Sequence, residues 1–123
     1  MSLEVGARAE VKRSYTEDDM RGFAQLSGNG TEVPVSVPGP LIGGLFSYLL
    51  GVELPGRGTN YLKQSLEFLA PAPVGETLTA SVTITRLRPE KHLVDLETVC
   101  EAEDGTRICQ GRALVYVEDV GKD

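Results

Sequence analysis

The segment Leu41–Leu50 (LIGGLFSYLL) constrains the fold of this chain more than any other, because it predicts a helix with bulky apolar side chains on every side. Gly51 follows as a stop signal. Such a helix must be enclosed by protein all round, and a sheet that curls around it provides that enclosure. The sequence therefore predicts a central buried helix.

The remainder of the chain supplies the strands of such a sheet. Ala7–Tyr15 and Thr59–Phe68 are strand-like, and in residues 77–85 apolar side chains alternate with Ser and Thr. Residues 94–102 form a further predicted strand, Asp104-Gly105 is a hairpin signal, and Ile108–Val117 is the return strand. The last three strands are therefore predicted to form an antiparallel meander.

Two features between the first strand and the central helix complete the predicted fold. Thr16 and Asp19 have the spacing of a capping box at the start of a short helix. Gly28–Pro40 is rich in Gly and Pro, which predicts a loop. We therefore predict an α+β hot-dog fold, a long antiparallel sheet wrapped around a central buried helix, as a single domain over residues 1–123.

The charge balance excludes several classes of partner. Twelve basic and eighteen acidic residues give a net charge of −6, which repels nucleic-acid phosphates and anionic lipids. The longest apolar stretch, Leu41–Leu50, is far shorter than the ~18 residues of a membrane span. Residues 1–4 lack the basic and apolar regions of a secretory signal. We therefore expect a cytoplasmic protein without nucleic-acid or membrane partners.

The chain has one histidine, His92, and two cysteines, Cys100 and Cys109, which limits its chemistry. The cysteines form no CxxC pair, so we expect no metal site and two reduced thiols on adjacent strands. The glycine-rich segments match neither GxGxxG nor GxxxxGK[ST], so we expect no nucleotide cofactor. His92 follows the Arg88–Lys91 turn, and we expect it at an exposed strand edge rather than in a catalytic role.

Several motifs resemble the MaoC-like hydratases, the (R)-specific enoyl-CoA hydratases with a hot-dog fold. Thr16–Gly28 (TEDDMRGFAQLSG) is similar to the first helix of that family, and Leu45–Pro71 is similar to its central helix, its LPGxGT turn and its YLxQSLxFxxP strand. Val74–Leu78 and Gly111–Ala113 continue the match toward the C-terminus. The resemblance implies an acyl-CoA or acyl-carrier thioester as ligand, no cofactor, and a homodimer across which the sheet continues.

The chain departs from this family in the segment that carries the active site. The family has Asp-x-Asn-Pro-x-His after the Leu-Ser of the first helix, whereas this chain has Asn29 at the position of the Asp and no counterpart of the His. The His-Gly-Met that opens the family's central helix is replaced by Pro38-Gly39-Pro40, and the intervening stretch is shorter. Asn29 and Glu32, the nearest acid, are the candidate catalytic residues; the alternatives are an Asn-Gly turn and a solvated charge.

The resemblance also implies a set of substrate-binding residues. They are the glycine whose backbone N–H faces the thioester carbonyl, a helix serine near the acyl group, and two residues of the following strand: Gly39, Ser47, Tyr61 and Gln64. Arg57, in the turn before that strand, is a further candidate, which would meet a CoA phosphate. Ser47 has an alternative hydrogen bond back to its own helix, and Arg57 is alternatively a surface charge. Gly43 and Gly44 predict close packing of a strand against the helix, in preference to an acyl chain.

Three functions remain open at this stage. The first is a hydratase or dehydratase that uses residues of the altered segment; as an enzyme the chain would be a hydro-lyase. The second is a non-catalytic module that binds acyl thioesters, which fits the retained helix and strand best. The third is a structural subunit in a heteromer with a catalytic homologue that supplies the missing Asp and His.

Overall fold

The computed structural model describes residues 3–26, 35–56 and 59–118. The helices and strands are, in chain order, β1 (Arg8–Ser14), α1 (Glu17–Leu26), α2 (Gly39–Tyr48), β2 (Thr59–Phe68), β3 (Thr77–Arg88), β4 (Leu93–Glu101) and β5 (Arg107–Val117). A π-helical turn, Leu49–Glu53, extends α2, and a short 3₁₀ turn, Pro89–Lys91, joins β3 to β4.

The five strands form one antiparallel sheet in the order β1-β3-β4-β5-β2. The predicted meander of β3, β4 and β5 is confirmed. The alternating pattern of β3 explains which of its side chains face the core: Leu78, Ala80, Val82 and Ile84 are all buried on the inner side. In sequence order β1 and β2 are the first two strands, yet they form opposite edges of the sheet, and the inner face between them holds α2.

Helix α2 packs into the concave face of the sheet through one side only. Ile42, Phe46 and the following Leu49 and Leu50 are fully buried in the core. The prediction that protein encloses this helix all round is wrong for the part of the chain that the structure describes, because Pro40, Gly44, Ser47 and Tyr48 are exposed. The physical reason lies in the sequence: two glycines and a serine interrupt the apolar run, so only part of the circumference has apolar side chains to bury.

Two local predictions have opposite outcomes. The capping box is confirmed, since the Thr16 backbone N–H donates to the Asp19 carboxylate at 2.8 Å and the Asp19 N–H donates to the Thr16 hydroxyl at 3.1 Å. The close strand packing predicted at Gly43 and Gly44 is wrong, because a Cβ atom at either residue would have no heavy atom within 4 Å. Helix α2 also begins at Gly39, inside the predicted loop.

No helix in the described ranges is both long enough and apolar enough to cross a bilayer.

Candidate functional site

The start of α2 offers the backbone N–H of Gly39 as a donor, since Pro40 has no N–H and the Leu41 N–H donates to the Pro38 backbone oxygen at 3.1 Å. Gly39 is the first helical residue, Pro38 precedes it in an extended conformation, and no side chain caps the helix. The first N–H groups of a helix lack intrahelical acceptors and carry a partial positive charge, so they attract a negatively charged oxygen. The predicted thioester-facing residue Gly39 therefore stands where a carbonyl oxygen that gains negative charge can be bound.

Strand β2 approaches α2 at this point through Phe68. A Cβ atom on Gly39 would lie 3.2 Å from Cζ of the Phe68 ring, so the glycine allows the ring to sit beside the helix start. Phe68 was not among the predicted site residues. The sequence signal that could identify it is an aromatic residue at the end of the YLKQSLEF strand. In the structure this ring is half exposed.

Farther along the same strand, Tyr61, Ser47 and Gln64 form a polar cluster. Ser47 and Gln64 both lie near the Tyr61 phenol, where they act to lower its pKa. Burial has the larger effect and raises the pKa of Tyr61 above its ordinary value. The phenol is therefore a neutral donor near pH 7, and three of the predicted substrate-binding residues lie together.

A β-bulge makes this cluster possible. Tyr61 and Gln64 are three residues apart and would face opposite sides of a regular strand. The pairing with β5 shifts between Tyr61 and Lys63, so Tyr61 lies opposite Val115 and Gln64 lies opposite Ala113. Val115 and Ala113 are both buried on the inner face, which places Tyr61 and Gln64 on the side of α2.

The two ends of this site are separated along α2. Gly39 and Ser47 are eight residues apart, which at 1.5 Å per residue is about 12 Å along the helix axis. The helix start with Phe68 thus forms one end, and the Ser47–Tyr61–Gln64 cluster forms the other. The remaining predicted site residues, Asn29, Glu32 and Arg57, lie outside the described residues.

The histidine lies at the opposite end of the sheet from Gly39. The backbone oxygen of His92 accepts a hydrogen bond from Val117 at one end of β5, and Phe68, beside Gly39, pairs with Cys109. Eight residues of β5 separate these points, which corresponds to roughly 26 Å. The Nδ1 atom of His92 is 2.6 Å from the Glu118 backbone oxygen, so the side chain has a structural partner there.

The thiols are unsuited to nucleophilic chemistry. Cys100 and Cys109 are free, buried and directly opposite each other on β4 and β5, as predicted for reduced residues on adjacent strands. Burial raises the pKa of the Cys100 thiol to about 11, which keeps it protonated near neutral pH. Within the described ranges, no group of three or more His, Cys, Asp or Glu side chains has the arrangement of a metal site.

Comparison with known proteins finds similarity over most of the chain. No protein-family model matches the chain. An (R)-specific enoyl-CoA hydratase of Aeromonas caviae is 37% identical over an alignment of 128 positions, which spans 93% of this chain and 95% of the relative. Another, of Rhodospirillum rubrum, is 35% identical over 94% of this chain and 88% of the relative. A solved structure of an (R)-hydratase from A. caviae involved in PHA biosynthesis has a TM-score of 0.86 at 35% identity, over 94% of this chain and 98% of that one.

Proposed function

The chain belongs to the (R)-specific enoyl-CoA hydratase family, and we propose that it binds CoA- or carrier-bound acyl thioesters without the full hydration chemistry. The observation that carries this proposal is the position of His92, roughly 26 Å along β5 from the residue beside the helix start. The chain has no other histidine. This site keeps the helix start that faces the thioester but lacks a histidine base. We therefore expect it to bind the acyl thioester without hydrating it.

The three tasks of hydration explain this division. A base must take a proton from water as it attacks C3, an acid must protonate C2, and donors must stabilise charge on the thioester oxygen. The Gly39 N–H, at a helix start that no side chain caps, supports the third task. An Asn at the position of the family's Asp accepts no proton near neutral pH, and Tyr61, with its raised pKa, remains a protonated donor.

The proposal is tested by two measurements on the same sample. Thermal unfolding is followed during titration with a trans-2-enoyl-CoA, and the loss of the conjugated enoyl absorbance reports hydration. A rise in Tm without loss of absorbance supports the binding function, because a ligand that binds only the folded state stabilises it. Absence of a Tm shift at millimolar ligand contradicts it.

The high identity to hydratases favours a second candidate, an active (R)-specific hydratase or dehydratase with Glu32 as the base. Substantial turnover in the absorbance assay selects this candidate over the first. A structural subunit paired with a catalytic homologue is a third possibility, which the exposed edge strand β2 favours. A homogeneous dimer with its own ligand affinity counts against the third.

Removal of one backbone donor tests the role of the helix start. Gly39→Pro deletes the N–H at a helix position where proline is otherwise tolerated. We expect the Kd for trans-2-enoyl-CoA to rise about tenfold, as for loss of one hydrogen bond to a polarised oxygen. Isothermal titration calorimetry measures the change.

Gly39→Ala is the matched control for this variant. It retains the N–H and, like Gly39→Pro, adds a Cβ before Pro40. The added methyl group meets the Phe68 ring at 3.2 Å, which a small movement of the ring relieves. We expect its Kd to stay within about twofold of the parent chain, well below the loss from a missing hydrogen bond. Equal losses in both variants would show that the N–H is not the relevant group.

We further propose that the chain forms a homodimer through β2. This strand is at the edge of the sheet, and eight of its ten residues are exposed. Exposed edge strands are prone to pair with another strand. Leu62, which is 56% exposed, contributes apolar surface at this edge, and Val52, in the π-helical turn after α2, is a further exposed apolar residue.

The dimer proposal predicts that Leu62→Asp yields a monomer in analytical ultracentrifugation, because a charge at the interface would lose water without gaining a partner. Val5→Asp is the control, since Val5 is exposed to a similar extent, 63%, and lies outside β2. The control should remain dimeric. A parent chain that sediments as a monomer, or a dimeric Leu62→Asp variant, would refute the proposed interface.

A further inference from the structure

A second groove lies on the other side of α2, next to the edge strand β1. It has a volume of about 480 Å³, within the range of small-molecule sites. One wall comes from β1 and the residue after it, and the other comes from a single face of α2: Val11, Arg13 and Tyr15, then Pro40, Leu41, Gly44, Leu45 and Tyr48. Because β1 and β2 are opposite edges of the sheet, this groove is separate from the Ser47–Tyr61–Gln64 cluster.

Gly44 keeps the groove open. A Cβ at this residue would meet no heavy atom within 4 Å, although the helix on either side of it carries apolar residues. Glycine costs a helix roughly 1 kcal/mol relative to alanine, so its presence in the middle of α2 is unfavourable for the helix itself. Gly44 therefore keeps this space open at the expense of the stability of α2.

Arg13 is the one charged residue among those that line the groove. Its guanidinium carbon lies 4.7 Å from the centroid of the Tyr15 ring, and no ion pair within the described ranges involves it. The Asp19 carboxylate is close enough to Tyr15 to raise the pKa of that phenol, but it already accepts a hydrogen bond from the Thr16 backbone N–H. A guanidinium at the rim of an apolar groove matches a carboxylate, which it can bind through two parallel hydrogen bonds.

The chain itself offers little to fill this space. Outside the described ranges, the longer segments have the sequences SGNGTEVP (27–34) and DVGKD (119–123), and the other two, 1–2 and 57–58, have only two residues each. Each of the longer segments contains a single branched aliphatic residue, a valine, among polar residues and glycine. Burial of the apolar walls therefore requires an occupant with more hydrocarbon than either of the longer segments contains.

We propose that this groove binds a medium-chain fatty carboxylate, with the hydrocarbon tail along the Leu41–Gly44–Tyr48 face of α2 and the carboxylate on Arg13. The tail replaces water on the exposed helix face, and the carboxylate supplies the counter-charge that Arg13 lacks within the described ranges. The site is distinct from the thioester site, so both can be filled in the same molecule. It does not depend on the proposed thioester function.

Calorimetric titration of the full chain with decanoate tests this inference, with decan-1-ol as the uncharged probe. Arg13→Gln is expected to weaken decanoate binding about tenfold, the effect of losing one charged hydrogen-bond partner, and to leave decan-1-ol binding unchanged. Arg13→Lys should weaken decanoate binding less than Arg13→Gln does, because it retains the charge but not the second parallel hydrogen bond. Gly44→Leu should abolish binding of both probes by filling the groove.

Gly22→Leu in α1 is the control for Gly44→Leu, because Gly22 also has open space around its Cβ position and lies outside the groove. It should bind decanoate like the parent chain. Acetyl-CoA at saturation should not displace decanoate, which separates this site from the thioester site. Three results would each overturn the inference: no binding to the parent chain, unchanged affinity in Arg13→Gln, or undiminished binding in Gly44→Leu. Arg13 is an exposed strand residue, so its variants keep the test valid if Gly44→Leu fails to fold.

Discussion

In the enoyl absorbance assay, the chain is expected to hydrate trans-2-enoyl-CoA at least about 10²-fold, and up to about 10⁴-fold, more slowly than the A. caviae hydratase, since general acid–base catalysis contributes this range. The reason is the proposed loss of proton-transfer groups, in which Asn29 takes the position of the family's Asp and His92 lies roughly 26 Å along β5 from the helix start. The same proposal keeps the Gly39 N–H at the helix start as a binding group. The Kd should therefore stay measurable while kcat collapses.

The size of the residual rate decides between the two leading candidates. If kcat is within tenfold of the relative, the binding-only proposal is wrong and a base must exist in the altered segment. Glu32→Gln then identifies it, because the amide cannot accept a proton and the hydratase activity would disappear. If Glu32→Gln leaves a small residual rate unchanged, that rate arises from polarisation of the thioester at the helix start alone.

The fold was predictable because its signals are local and strong. Over residues 77–85 the apolar side chains of β3 alternate with hydroxyl residues, and the structure buries the apolar set on one face. Thr16 and Asp19 are three residues apart, so their reciprocal hydrogen bonds follow from helix geometry without help from distant residues. The family motifs in Leu45–Pro71 supplied the position of β2 beside α2.

The site was predictable only in part, because its geometry depends on how distant strands pair. The family motifs identify Ser47, Tyr61 and Gln64, but the three lie together only because of a bulge that no residue type in β2 predicts. The exposed face of α2 was missed for a related reason. Hydropathy reports how apolar a helix is, but the sheet covers only one side of it, and Gly44 leaves open space on the other.

The largest effect on stability is expected at Gly111, where β5 and β2 come closest. A Cβ atom there would overlap the Ser65 carbonyl oxygen and lie 2.9 Å from the Ser65 carbonyl carbon and 3.1 Å from Cα of Leu66. All three are backbone atoms of β2, so no rotamer change relieves the overlap. Gly111→Ala should lower the free energy of unfolding by roughly 3 kcal/mol, the upper end for overpacking. Chemical denaturation with urea measures this change.

Gly22→Ala is expected to change the free energy of unfolding in the opposite direction. Its Cβ meets nothing within 4 Å, and alanine favours the helical state by about 1 kcal/mol, so this variant should be at least as stable as the parent chain. Because Gly111 pairs with Leu66 on the strand that carries Tyr61 and Gln64, the strain in Gly111→Ala should also weaken trans-2-enoyl-CoA binding. A Gly111→Ala variant with unchanged stability would show that β2 can move away from β5 at little cost. In that case the polar cluster on β2 would not be held by this strand pairing, and its geometry would have to come from the contact with Ser47 on α2.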